Sequence, residues 1–143
     1  MIMLDTNVLS ALMHNTPDPV VAEWLDRQPA ESIWTTSVTV FEIRMGIELL
    51  EPSRRRKQLD QAFSQLITED LEGRVQNFDQ TAAIAAGTIA ATRQRVGRKV
   101  EIRDVQIAGI AASRRATVAT RNTRHFEGSG VDLINPWDPA TNR

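Results

Sequence analysis

The 143 residues carry 17 basic and 18 acidic side chains, a formal charge of −1, so the chain as a whole does not advertise nucleic-acid binding through bulk positive charge. Cysteine is absent, which excludes disulfides, thiolate catalysis and thiolate-held zinc or iron–sulfur centres, and leaves oxygen or histidine nitrogen to hold any metal. The length suits one domain over residues 1–143, and without a basic-led apolar leader or a membrane-length apolar run the expectation is a cytoplasmic protein with no membrane contact.

Residues 1–4 (Met-Ile-Met-Leu) read as a buried strand, because a strand covered on both faces is a continuous apolar run. The run stops at Asp5-Thr6-Asn7, a carboxylate, a hydroxyl and an amide. Ligands of parallel sheets gather beyond the carboxyl ends of the strands, which is where Asp5 falls. The plainer alternative is that Asp5 or Asn7 caps the short helix expected over residues 8–13. Asp18, with Pro19 at the first helical position, opens a second helix carrying Val20, Val21, Trp24 and Leu25. Residues 32–36 are rich in strand formers.

The helix expected over about 38–50 holds an anomaly. At about 100° per residue, Val38, Phe41, Met45, Gly46, Leu49 and Leu50 form one apolar arc with Glu42 in its middle. Either Thr39 and Glu42 make a capping box, or Glu42 faces a polar cleft at the rim shared with Asp5. Ser53 opens a further helix that starts on the run Arg54-Arg55-Arg56-Lys57, and residues 74–78 form a short strand. Asp79 caps an alanine-rich helix to about Val96, whose small residues suit close approach to a neighbouring helix. The Arg54 to Lys57 run and the Arg93, Arg95, Arg98, Lys99 cluster are either solvated faces or phosphate contacts. Asp104 opens a helix on which Ile107, Ala108, Ala111 and Ala112 share its face, and the peptide dipoles favour a carboxylate there whatever its further role. Residues 116–120 form a strong strand ending in Arg121-Asn122. A loop or single turn over 123–128 places His125 on the surface, and residues 131–134 form a last strand. The chain frays past Pro139, the tail being flexible after about 138.

Strands alternating with helices predict a three-layer α/β/α fold around a mostly parallel sheet. In that architecture Asp5, Glu42, Asp104 and Asn122 can meet at one rim. Four blocks then stand out together: Met3-Leu4-Asp5-Thr6-Asn7; Ser37-Val38-Thr39-Val40-Phe41-Glu42; Ile102-Arg103-Asp104 with Ile107-Ala108; and Ala119-Thr120-Arg121-Asn122-Thr123-Arg124-His125-Phe126. In this order they resemble the signature of PIN-domain nucleases, and most of all the VapC-type toxins of bacterial toxin–antitoxin pairs.

The resemblance implies a PIN-like fold and an endoribonuclease dependent on Mg²⁺ or Mn²⁺. Asp5, Glu42 and Asp104 take the acidic positions that hold metal and perform catalysis. Thr6, Asn7, Thr120 and Asn122 would support them or position water, with neutral Asn122 standing where the family often has a fourth acid. A tRNA or rRNA substrate, a cognate VapB-like antitoxin and a homodimer are further implications. Arg121 and Arg124 at the rim are candidates for RNA phosphate contacts. The residue types agree independently, since Mg²⁺ and Mn²⁺ prefer oxygen ligands and can activate water beside a phosphodiester. Two other readings compete. Asn122 would suit a non-catalytic PIN-fold module that binds RNA or protein. An aspartyl-phosphate phosphohydrolase with Asp5 as nucleophile is disfavoured, because Thr6, Asn7, Val8 and Leu9 supply no second carboxylate.

Overall fold

The computed structural model, which describes residues 1–140, is built on five strands: β1 (Ile2–Leu4), β2 (Ile33–Thr36), β3 (Val75–Gln76), β4 (Thr117–Ala119) and β5 (Asp132–Ile134). Their order is β3-β2-β1-β4-β5 and every pairing is parallel, so the expected mostly parallel sheet is wholly parallel among the described residues. The apolar opening run takes the central place, with Met3 opposite Trp34 on one side and Val118 on the other. Thr35 strengthens that centre by donating its hydroxyl to the Leu4 carbonyl at 2.9 Å.

Side chains alternate across a strand, and the sheet uses this to build two cores. Leu4 joins Val8, Leu9, Trp24, Ile43 and Phe63 beneath α1 (Thr6–Ala11), α2 (Pro19–Asp26), α3 (Ser37–Glu48) and α4 (Arg54–Gln65). Met3 joins Ile107, Ala108, Ile110, Val118 and Phe126 beneath α5 (Gln80–Arg95) and α6 (Ile102–Arg114). The result is the expected three-layer α/β/α arrangement. The frayed end expected past Pro139 concerns mainly residues 141–143, outside the described residues.

Helix α3 corrects the reading of its apolar arc. Its buried face is Val38, Thr39, Ile43 and Ile47, whereas Phe41 (58% exposed), Met45 and Leu49 (78% exposed) face solvent. Thr36, still extended at the end of β2, caps the helix by accepting from the Thr39 backbone N–H at 3.1 Å. Thr39 is therefore inside the helix, and the capping box with Glu42 does not form. Glu42 lies at the boundary between the exposed and buried faces.

The alanine-rich helix behaves as expected. A Cβ on Gly109 of α6 would stand 2.5 Å from the Ala82 carbonyl oxygen and 2.6 Å from the Ala86 Cβ, so α5 and α6 touch backbone to backbone. Helix α6 is buried over more of its circumference than one face, Val105 and Ile110 included, while Ala112 is exposed. Strand β3 is shorter than expected because Phe78 already donates its N–H to Ser37 Oγ and Asp79 caps α5. Of the basic residues, Arg93 is only 7% exposed and donates to the backbone carbonyls of Lys99 and Glu127, a structural brace rather than a phosphate contact. Arg56 pairs with Glu48 at 2.7 Å and donates to the Leu50 carbonyl.

Candidate active site

The polar stop after β1 sits at the carboxyl edge of the sheet. The Asp5 backbone N–H donates to the Ala119 carbonyl at 2.9 Å, and so carries the β1–β4 pairing one residue further. The carboxylate is 5% exposed and held on both oxygens. Oδ1 accepts from the Thr6 N–H at 2.8 Å, capping α1, and Oδ2 accepts from Thr120 Oγ1 at 2.8 Å and Asn7 Nδ2 at 3.3 Å. Capping and rim placement, alternatives in the sequence, are both true of Asp5. Thr120, fully buried at the end of β4, also accepts from Asn7 Nδ2 at 3.2 Å and from the Asn122 backbone N–H at 3.0 Å. Asn7 Oδ1 accepts from the Arg121 N–H at 3.0 Å. Four of the polar residues singled out in the sequence thus form one network that fixes Asp5.

Glu42 reaches the same place from α3 and Asp104 from the first turn of α6. Asp5, Glu42, Asp104, Thr6, Asn7 and Asn122 line one open cavity of about 450 Å³. Burial raises the pKa of all three carboxyl groups above the usual carboxylate range. At Asp5 the hydrogen bonds from Thr120 and Thr6 oppose that rise. At Glu42 the guanidinium of Arg103 opposes it, 3.6 Å from Oε2, while the charge of Asp5 adds to it. At Asp104 the charge of Asp5 again adds, and His125 opposes.

Four further residues line the cavity: Ser10, Glu101, Arg103 and His125. His125 is exposed on its turn, as expected, and its Nδ1 also lies 2.8 Å from Asp104 Oδ2, a contact the sequence reading did not foresee. The turn Thr123–Phe126 folds back over the start of α6 and carries the imidazole into the site. Arg103 stands beside Asp104 in a block already singled out, and its adjacency was the available signal. Arg121 lies at the edge, with its guanidinium over the Trp137 ring, and Arg124 is exposed on the turn and does not line the acidic cavity. A second pocket of about 500 Å³, walled mainly by Leu9, Leu25, Leu66 and Leu71, lacks any such convergence of carboxylates.

Whether the residues suit a divalent cation can be judged from the donors. Among the described residues no three Asp, Glu, His or Cys side chains form a ready-made metal cage. Mg²⁺ does not need one, because it keeps several waters and binds through one or two carboxylates. Asp104 Oδ2 is buried and meets His125 Nδ1 at 2.8 Å, and Thr6 Oγ1 is buried beside Glu42. Half-buried carboxylates side by side repel one another, and a cation between them would relieve that repulsion. The oxygen donors and open volume fit hydrated Mg²⁺ or Mn²⁺.

Comparison with known proteins reaches the same region from another side. The PIN domain pattern matches residues 2–129. The chain is 36% identical to the VapC ribonuclease Y4jK of Sinorhizobium fredii, over 98% of this chain and 100% of that protein. It is 34% identical to the tRNA(fMet)-specific endonuclease VapC of Shigella flexneri, over 94% and 96% of the two chains. The crystal structure of FitAcB from Neisseria gonorrhoeae contains a chain that superposes with a TM-score of 0.86 at 34% identity, covering 96% of this chain and 99% of that one.

Proposed function

The chain belongs to the PIN-domain family, and from that premise we propose that it is a Mg²⁺- or Mn²⁺-dependent endoribonuclease acting as the toxin of a toxin–antitoxin pair. The observation that carries this reading is the convergence of Asp5, Glu42 and Asp104 on one cavity at the carboxyl edge of the sheet. The names of the relatives, a ribonuclease and a tRNA endonuclease, support RNA as substrate, with tRNA or rRNA as the proposed targets.

Each residue has a part in the proposed chemistry. Asp5, locked by Thr120, Thr6 and Asn7, offers a carboxylate that needs no reorganisation; Glu42 and Asp104 close on it from α3 and α6. These three would hold the cation, with Thr6 Oγ1 and Asn7 supporting them. The bound ion would supply Lewis acidity, lowering the pKa of water and offsetting charge that develops on the phosphodiester. Asn122, at the cavity wall, offers a neutral amide that can orient water without adding repulsion. Asp5 is a poor nucleophile for an aspartyl-phosphate route, because both of its oxygens already accept hydrogen bonds.

For partners we propose a VapB-like antitoxin and a second copy of the chain, in the cytoplasm. The superposed neighbour comes from a FitAcB structure, and other neighbours come from VapBC complexes. No helix among the described residues is long and apolar enough to cross a membrane. The neutral Asn122 is the one observation favouring a non-catalytic RNA- or protein-binding role instead. The deciding experiment incubates the purified, antitoxin-free protein with tRNA and rRNA in Mg²⁺ or Mn²⁺, with chelator as control. Chelator-sensitive cleavage is expected. Intact RNA with both ions would hand the case to the non-catalytic reading.

A further inference from the structure

Beside the acidic cavity, and sharing Asn7 and Ser10 with it, lies another of about 340 Å³ bounded by His14, Asp18, Arg121 and Trp137. Its volume falls at the lower end of the range of about 300 to 1,000 Å³ that small ligands occupy. The wall is built from fixed parts. Arg121 follows Thr120, which holds Asp5, and its backbone N–H donates to Asn7, so its Cα is tied to the network of the catalytic candidate. Its guanidinium carbon lies 4.6 Å from the centre of the Trp137 ring. The indole Nε1–H donates to Asp18 Oδ2 at 3.0 Å, while Asp18 Oδ1 accepts from the Val20 N–H and anchors the assembly to α2.

A cation resting on a ring face is oriented without spending its N–H donors. Arg121 forms no salt bridge among the described residues, although the Asp18 carboxylate on the same cavity wall feels its charge; Arg44, Arg56, Arg98, Arg103 and Arg114, elsewhere in the molecule, all pair with carboxylates. The arrangement leaves a planar donor fork, exposed and pre-aimed, one residue from the group that holds Asp5. Acidic side chains repel a polyanion, so a substrate phosphate adjoining this site needs a cation of this kind.

We infer that this second cavity is the subsite for the nucleotide next to the scissile phosphodiester, with Arg121 holding its phosphate and with Trp137 and Asp18 as the positioning residues that aim Arg121. The inference rests on the acidic cavity being the place where RNA is cut.

The test measures binding of a short fluorescein-labelled single-stranded RNA by anisotropy over a salt series, in an Asp104→Asn background that leaves the RNA whole. Arg121→Gln, an exposed substitution that leaves the core intact, is expected to weaken binding about 10-fold and to reduce the salt slope by about 0.7, the value for one phosphate contact to a single strand. Arg121→Lys restores the slope but only part of the affinity, since a point charge lacks the planar fork. With Asp104 intact, Arg121→Gln raises KM and changes kcat little. Trp137→Leu weakens binding less than Arg121→Gln and keeps most of the slope; its thermal melt is checked because Trp137 also packs against the core. Equal affinity and slope for Arg121→Gln would overturn the inference even if the wild type cuts RNA. Unchanged RNA binding with weakened antitoxin inhibition would overturn it in favour of a protein-docking surface. Failure of the wild type to cut RNA sinks the nuclease reading instead, and the two failures are read in separate assays.

Discussion

Thr120 donates its hydroxyl to Asp5 Oδ2 at 2.8 Å, joining the ends of two neighbouring strands through side chains 115 positions apart in the chain. The Thr120 hydroxyl oxygen in turn accepts from Asn7 Nδ2 and the Asn122 N–H, so a single atom orders most of the polar network. Thr120→Val keeps the shape and removes the hydroxyl. It leaves Asp5 with one donor fewer and two N–H groups without their acceptor, in a setting where an unsatisfied buried group costs about 1–3 kcal/mol. A loss of stability of that order is expected by chemical denaturation, together with slower RNA cleavage. A variant as stable and active as the wild type would show the network to be incidental.

Asp104→Asn should abolish RNA cleavage and leave stability at neutral pH equal or higher. The sign follows from the raised pKa of Asp104 in the folded chain. Between the unfolded value, near 4, and that raised value the folded state binds more protons than the unfolded one, so stability falls as pH rises through this interval. Below both values the carboxyl contributes nothing; above the folded value its penalty is complete. Asp5 and Glu42 act in the same direction, while Asp18 and Asp79, whose pKa values are lowered, act in the other. The informative quantity is therefore the difference between wild type and variant across a series of melts that starts near the unfolded carboxylate value and runs upward in pH. A difference that is flat in pH would show that Asp104 is not strained by its neighbours.

Much of this site was legible in the sequence for a simple reason: a buried strand that ends in polar side chains announces the functional edge of a parallel sheet. Asp5, Asn7, Thr120 and Asn122 all follow from that rule. Helix α3 was legible in extent but not in rotation. Counting apolar residues put Phe41, Met45 and Leu49 on the buried arc with Val38, whereas the helix buries Val38 together with the β-branched Ile43 and Ile47. Hydrophobicity alone cannot choose between two apolar faces when one is left exposed. His125 was missed because its partner, Asp104, is remote in sequence and the turn between Thr123 and Phe126 has no periodicity that would aim it.

Added Mn²⁺ should raise the melting temperature of the wild-type protein, and chelator should reverse the rise. The gain comes from binding to the folded state alone and reaches about 2.7 kcal/mol when the ion is at 100 times its dissociation constant. Asp104→Asn and Asp5→Asn should shrink the shift, since each removes a charge from the cluster that binding relieves. The measurement is a thermal melt followed by circular dichroism, independent of any RNA. Equal shifts in wild type and both variants would place the ion elsewhere.

Gly109→Ala tests how tightly Asp104 is positioned from the far side of its helix. The new Cβ would stand 2.5 Å from the Ala82 carbonyl oxygen and 2.7 Å from the Ala86 backbone nitrogen, so relief requires α5 and α6 to move apart rather than a side chain to turn. Overpacking of this kind costs about 1–3 kcal/mol, which outweighs the fraction of a kcal/mol to about 1 kcal/mol that alanine gains over glycine in a helix. Stability should fall. Because α6 carries Asp104 in its first turn, a shift of this helix should also move the carboxylate relative to Asp5, which is fixed to the sheet edge. The Mn²⁺-induced rise in melting temperature should then be smaller than in the wild type. Lower stability with a full response to Mn²⁺ would mean that α6 absorbs the strain near Gly109 and holds its amino end in place.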